Sequence, residues 1–300
     1  MMRCEFFAEA ERFAAAVEPL AVRDPTGAVM FSAVLGGHLA VPFPGEPPLL
    51  AVVHNDSPDG HPTGIALAAL RVPSYPLIAV LDPDLAGPGT ATDALVDALA
   101  ARRETIVGFT GRRRTALLLA ESWLTVAGRE SKPRMWENYY RLGELKVPVD
   151  VPGESRLATT GEQDVDVLAH WFAEFRRETG IGRTLERPDP ESVVRNLERG
   201  EVFTLWCVDG RPVAVAGHSP VRRAAAKIAP VYTPPDLRRR GFGSAVTAAA
   251  VRSAQHLGAG QVTLFTDADY PAANLVYRQL GFEMVAEFAE FDLVEDSTST

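Results

Sequence analysis

The sequence predicts an α/β protein in which central mixed, mostly antiparallel sheets are flanked by helices. It divides into a first domain over residues 1–148, a second over residues 149–294 and a polar tail, EDSTST, that is expected to be disordered over residues 295–300. Three observations carry this expectation. A length of 300 residues suits about two domains of ordinary size. Short apolar runs at residues 49–54, 64–72 and 77–81 are separated by the turn-rich DSPDGHP and PSYP, the pattern of an antiparallel meander. Between the domains, KVPVDVPGE at residues 146–154 carries the prolines and glycine of a stiff, exposed linker.

In the first domain, Phe6, Phe7, Ala10, Phe13, Ala14 and Val17 recur at helical spacing, and Asp24 with Pro25 reads as the N-cap and first-turn proline of a second helix. After the three strands come helix, strand, helix and strand at residues 92–102, 105–109, 112–126 and 135–145. The run Arg112, Arg113, Arg114 opens one of these helices, where cations are mildly unfavourable, so it reads as a solvated or partner-facing surface.

In the second domain, Thr160 and Gln163 stand at capping-box spacing, and Val165, Leu168, Phe172 and Phe175 make an apolar stripe over the helix that follows. A polar loop over residues 179–189 precedes a second helix at 190–199. Strands at 202–208 and 212–218 are joined by Asp209 and Gly210, a pair suited to a tight hairpin. The stretch AAAKIAPVYTPPDLRRRGFGS, residues 224–244, organises the rest. Ile228, Val231 and Tyr232 have strand character, and Pro234 with Pro235 ends the strand because neither donates to a ladder. Pro230 is expected to mark a bulge. Arg238, Gly241 and Gly243 then follow as Arg-x-x-Gly-x-Gly ahead of a helix over residues 244–257. Absent side chains there let backbone N–H groups gather around an anion such as a pyrophosphate. A strand at residues 261–266 and the segment DADYPAANLVYRQLGF, with Asn274, Tyr277, Gly281 and Phe282, come next, and residues 283–293 read as final strands.

These two segments, at this separation, resemble the acetyl-CoA-binding motif and the second signature of the GNAT superfamily of N-acetyltransferases. PVYTPPDLRRRGFGSAVTAA in particular resembles a tandem bacterial subgroup in which the catalytic domain follows a degenerate copy. The resemblance is close at the motifs of the second half, while in the first half it is an ordering of elements alone. It implies that Val231, Tyr232, Thr233, Arg238, Arg239, Arg240, Gly241, Phe242, Gly243, Ser244 and Asn274 bind acetyl-CoA as co-substrate. The pantetheine arm would lie in a gap between the organising strand and the next, as an added strand would. It also implies that the loop at residues 179–189 borders the acceptor. The first-half counterpart of the turn, LDPDLAGPGTATD, keeps Gly87 and Gly89 but has no arginine and brings in Asp82 and Asp84. That half is therefore expected not to bind CoA. The roles left for it are to cover the catalytic domain, to supply one wall of the substrate pocket, or to form an oligomer interface such as that of a homodimer.

The chemistry implied is transfer of an acetyl group to a primary amine of a small molecule or peptide by direct attack in a ternary complex. A backbone N–H near Val231 or Tyr232 holds the oxyanion. Tyr277, a phenol protonated at neutral pH, is the catalytic acid for the departing thiolate. Ala224, Ala225 and Ala226 stand where some members of the family place a glutamate. His170, Glu174 and His218 are the substrate-side candidates, with an ordered water as the alternative base. Two other readings stay open: a non-catalytic acyl-CoA-binding regulatory protein, and a transferase for a longer acyl group.

A formal net charge of -9 disfavours nucleic acid as a partner. No apolar run approaches a membrane span, and the charged opening MMRCEFFAEAERF lacks the apolar core of a signal peptide. Cys4 and Cys207 form no Cys-x-x-Cys pair, so a reducing cytoplasm is the expected location. His38, His54, His61 and His256 show no ligand spacing, and no metal is expected.

Overall fold

A computed structural model describes residues 2–40, 46–56, 62–72, 75–180 and 189–294. The chain forms two compact units, Met1–Glu137 with Ala286–Thr300, and Asn138–Val285. Most of the acceptor loop expected at residues 179–189, His61, and the tail lie outside the described residues.

The first unit runs β1 (Met2–Phe6), α1 (Ala10–Arg23), α2 (Val29–Ala40), β2 (Leu49–Asp56), β3 (Pro62–Arg71), β4 (Leu77–Leu81), α3 (Gly89–Ala101), β5 (Gly108–Arg112), α4 (Arg113–Thr125) and the start of β6 (Ser131–Leu142). The meander is antiparallel as expected, with Ala51 opposite Ala69 and Ala69 opposite Ala79. Leu49 to Val53 are all buried because helices cover both faces of the sheet. Leu50 and Val52 pack with Phe13, Val17, Leu20 and Phe31 of α1 and the chain leading through α2. Leu49, Ala51 and Val53 pack with Leu95, Leu99 and Trp123 of α3 and α4.

Two local expectations change in this unit. Met2–Phe6 form β1, paired antiparallel with β2 from Met2↔Asn55 to Phe6↔Ala51, so the helical stripe begins only at Ala10. Asp24 does not open α2. It is the C-cap residue of α1, and its carboxylate accepts hydrogen bonds from the Gly27 N–H (2.9 Å) and from Arg112 (2.6 Å). A short acidic side chain serves a turn this way as readily as a helix start.

The second unit repeats the order: the end of β6, then β7 (Glu154–Leu157), α5 (Glu162–Thr179), α6 (Pro190–Glu198), β8 (Val202–Val208), β9 (Arg211–His218), β10 (Ala225–Tyr232), α7 (Phe242–His256), β11 (Gln261–Asp267), α8 (Pro271–Gln279) and the start of β12 (Phe282–Leu293). Again helices cover both faces. Leu168, Phe172 and Val193 meet Phe203, Leu205 and Val215 on one face, while Val246, Ala250 and Ala254 meet Ala214, Ala226, Ile228 and Leu264 on the other. Both halves read β-α-α-β-β-β-α-β-α-β. The last strand of each repeat passes into the other unit: Asn138–Leu142 of β6 belong to the second unit, and Ala286–Leu293 of β12 belong to the first. There β12 pairs antiparallel with β5, from Phe288↔Arg112 to Asp292↔Gly108, and buries Ala289, Phe291 and Leu293 in the first core.

The expected capping box at the start of α5 is not formed. Gly161 is the N-cap and offers no side chain, so Asp164 supplies the acceptor from within the first turn. Its carboxylate takes the Thr159 N–H (2.9 Å) and hydroxyl (3.1 Å) and a bidentate pair of bonds from Arg156 (2.8 and 2.6 Å). The Arg156 bonds are the largest cause holding the Asp164 carboxyl below the usual carboxylate range. The segment over residues 146–154, expected as a linker, lies within the second unit and is anchored there. The Lys146 N–H donates to the Leu280 carbonyl (3.0 Å), and the Pro152 carbonyl accepts from the Trp206 indole (3.0 Å).

Candidate functional site

The site begins where two parallel strands part. β10 pairs with β11 only from Ala225↔Gln261 to Lys227↔Thr263, yet β10 continues to Tyr232 and β11 to Asp267. On the other side of β10, the register with β9 shifts between Ile228 and Val231, around the cis Ala229–Pro230 bond. The expected irregularity at Pro230 is therefore present, since proline contributes no N–H to hold the ladder there.

Beyond Tyr232 the chain makes a single 3-10 turn, Pro235–Leu237, and then the basic turn. Arg239 (φ 61°) and Gly241 (φ 82°) take left-handed backbone conformations. Gly241 is the N-cap of α7 and has no side chain to cap it. The first intrahelical bond runs from the Ala245 N–H to the Gly241 carbonyl, so the N–H groups of Phe242, Gly243 and Ser244 have no partner within the helix. A Cβ placed on Gly241 would lie 3.0 Å from Val151, a residue of the anchored segment over residues 146–154. At Gly243 a Cβ would meet only the Thr233 hydroxyl, at 3.4 Å. Glycine is thus required at Gly241 by backbone geometry, whereas at Gly243 it leaves open space above the helix start.

The three arginines differ. Arg238 is committed inward: Nε donates to the Thr233 carbonyl (2.8 Å), the guanidinium donates to Glu178 (2.5 Å), and it lies over the Tyr232 ring. Arg240 lies over the Phe242 ring at 4.9 Å. Arg239 and Arg240 are exposed. Glu178 also accepts from the Tyr232 hydroxyl (3.1 Å), so the last turn of α5 is tied both to the end of β10 and to the turn. Burial first, and then Glu178, push the Tyr232 phenol up.

Tyr277, on α8, is half-buried between Tyr140 and Phe282, with ring centroids 6.4 and 6.0 Å away. Its hydroxyl makes no hydrogen bond among the described residues. Burial, with Tyr270 adding to it, pushes its pKa up to about 12, so the phenol keeps its proton through neutral and moderately alkaline pH.

Asn274 lies one turn before Tyr277 and is only 4% exposed. Its side-chain N–H groups donate to the Asp267 and Tyr270 carbonyls (2.8 and 2.9 Å), and its oxygen accepts from Asn138 (2.8 Å) and Tyr140 (3.0 Å). All of its hydrogen-bonding capacity is used inside the protein, which leaves none for the cofactor contact expected of it. His218 is likewise spent: 1% exposed, it bonds the Ser219 carbonyl through Nδ1 (2.9 Å) and the Ser253 hydroxyl through Nε2 (3.1 Å). A buried imidazole with both ring nitrogens bonded is not available to an acceptor, contrary to the expectation for His218. His170 is exposed on α5, and Glu174, on the same helix, is paired with Arg177, which holds its carboxyl low.

The arrangement suits an anion at an uncapped helix start and an extended chain entering between parted strands. The counterpart in the first unit differs at its turn and helix start. α3 starts after Pro88, which has no N–H, and the first-turn donors of Thr90 and Ala91 are already bonded to the Gly87 and Pro88 carbonyls (3.2 Å each). Asp82 there pairs with Arg23 (3.0 Å). β4 and β5 also pair over a short stretch, from Leu77↔Phe109 to Ile78↔Thr110, and a Cβ on Gly111 of β5 would lie 2.7 Å from the Ala79 carbonyl oxygen, so the backbones are still close one position past the ladder. No group of three or more His, Cys, Asp or Glu side chains among the described residues is disposed to hold a metal ion, and no described helix is long and apolar enough to cross a membrane.

The model of the acetyltransferase (GNAT) family matches residues 166–282, which span the strands, turn and helices just described. No curated protein matches the chain. Among solved structures, a tandem GNAT protein from the clavulanic acid biosynthesis pathway is 14% identical, covers 98% of this chain and 100% of its own, and superposes with a TM-score of 0.63. A GCN5-related N-acetyltransferase from Kribbella flavida is 19% identical, with 91% and 97% coverage and a TM-score of 0.57. One from Sphaerobacter thermophilus is 17% identical, with 100% and 97% coverage and a TM-score of 0.56. At these identities the likeness is one of fold, and it extends over both units.

Proposed function

Because residues 166–282 form an acetyltransferase domain of the GNAT family, which uses acetyl-CoA as co-substrate, we propose that this acyltransferase acetylates a primary amine of a small molecule or peptide by direct attack in a ternary complex. The observation that carries the proposal is the uncapped start of α7 after Gly241, beside the point where β10 and β11 part.

In this reading the N–H groups of Gly241, Phe242, Gly243 and Ser244 receive the pyrophosphate. Exposed Arg239 and Arg240 add attraction. Arg238 shapes the turn through Thr233 and Glu178 and does not itself grip phosphate. The strand edge from Val231 to Thr233 pairs with the pantetheine amides. Acetyl-CoA supplies the activated acetyl thioester. The Val231 or Tyr232 N–H holds the oxyanion, and Tyr277 gives its proton to the departing thiolate. Ala224, Ala225 and Ala226 provide no carboxylate, so an ordered water takes the proton from the amine, with exposed His170 and half-buried Glu174 as the side chains on the acceptor side.

The first unit is proposed to bind no CoA, as supported by its consumed helix-start donors and its acidic turn. Thiol release from acetyl-CoA against a panel of amines tests the function. Release that depends on one class of amine supports it. Tight acetyl-CoA binding without release for any amine would favour the regulatory reading.

A further inference from the structure

We propose that Asn274 and Tyr140 are positioning residues that aim the phenol of Tyr277. The proposal rests on the acid role assigned to Tyr277. α8 has only nine residues and begins at Pro271 with no side-chain cap. A helix that short has little stability of its own, so its place is set by what holds it. Asn274 does the holding from both sides. Its two N–H groups close the connection from β11 by binding the carbonyls of Asp267 and Tyr270, and its oxygen receives the Asn138 amide and the Tyr140 hydroxyl from β6.

Tyr140 acts twice. It is fully buried, its hydroxyl anchors Asn274, and its ring lies against the ring of Tyr277. Phe282 closes the other side of Tyr277 edge-on. The Tyr277 hydroxyl, with no hydrogen bond of its own among the described residues, is therefore aimed only by ring packing and by the register of α8. Loss of the Asn274 side chain would unpair the Asn138 amide and the Tyr140 hydroxyl, leave the Asp267 and Tyr270 carbonyls with only their backbone donors from Tyr270 (3.2 Å) and Asn274 (3.4 Å), and let α8 shift. A displacement of about 1 Å at a catalytic group costs up to about 100-fold in rate.

A double-mutant cycle between Asn274 and Tyr277 tests the proposal, with turnover, acetyl-CoA affinity by calorimetry and thermal midpoint measured for each variant. The expected result is that Asn274→Ala lowers kcat by about tenfold, on the scale of such displacements, with acetyl-CoA affinity kept within about twofold. The same substitution should cost nothing further in a Tyr277→Phe background, because the group it aims is gone. Equal losses in both backgrounds, or a loss of acetyl-CoA affinity that matches the loss in turnover, would overturn the positioning role. Should Asn274→Ala not fold, Tyr140→Phe removes one anchoring bond while keeping the ring, and the same dependence on Tyr277 is required of it. An unchanged kcat in the single Tyr277→Phe variant would remove the acid role itself. That outcome is distinct from a failed cycle, which requires a loss at Tyr277 to which the loss at Asn274 adds.

Discussion

Replacing Gly241 with valine is expected to lower acetyl-CoA affinity by about 100-fold, equivalent to about 2.7 kcal/mol. The backbone there sits at φ 82°, and even the first added carbon meets Val151 at 3.0 Å. A β-branched residue held in the left-handed region costs roughly 1–3 kcal/mol. Relief comes only by moving the turn, which takes the N–H groups of Phe242, Gly243 and Ser244 away from a common focus. Neutralising Arg239 and Arg240 to glutamine leaves that focus intact and removes attraction at exposed positions, so affinity should fall by less than about tenfold and the loss should shrink as salt rises. Gly243→Ala provides the internal control, because its new methyl has room in the fold. Any affinity it loses is lost to the ligand. Small and equal effects from glycine and arginine substitutions, read by calorimetry, would contradict recognition through the backbone.

Tyr277→Phe is expected to lower turnover by about 100-fold, the lower end of what a positioned proton donor supplies, while acetyl-CoA affinity stays nearly intact. The phenol loses only its hydroxyl, and its packing against Tyr140 and Phe282 is retained. The pH dependence follows from the direction of the shift. A phenol pushed up to about 12 is protonated, and able to donate, at every pH below that value. The wild-type rate should therefore show no alkaline fall due to Tyr277 below about pH 11, given an unperturbed tyrosine pKa of about 10. The phenylalanine variant should be slower at each pH with the same profile. Unchanged turnover would reduce Tyr277 to a packing residue.

The basic turn was legible because its chemistry is local: Arg238 to Ser244 are contiguous, and the prolines, glycines and following helix announce the geometry. The parting of β10 from β11 was implied only by the resemblance. What escaped were bonds between distant residues. Glu178 meets Tyr232 and Arg238 across 54 and 60 positions, and Asn274 meets Tyr140 across 134, separations at which no periodic pattern marks the partner. Asn274 was implied by the resemblance and His218 by its place at a strand end near the acceptor side, yet each is polar because a buried junction needs donors and acceptors there. β1 was hidden because Phe6 and Phe7 continue the apolar spacing of α1 by coincidence, and only pairing with β2 reveals a strand. The passage of β12 into the first unit left no sign, since a strand's own alternation does not say which sheet it completes.

The central claim is that one chain carries one acetyl-CoA site, in the second unit. A calorimetric titration of the intact protein with acetyl-CoA measures it directly. The expected result is saturation at one molecule per chain, with affinity lowered about 100-fold by Gly241→Val. Saturation at two per chain, or binding that survives Gly241→Val unchanged, would place a site in the first unit and contradict this account.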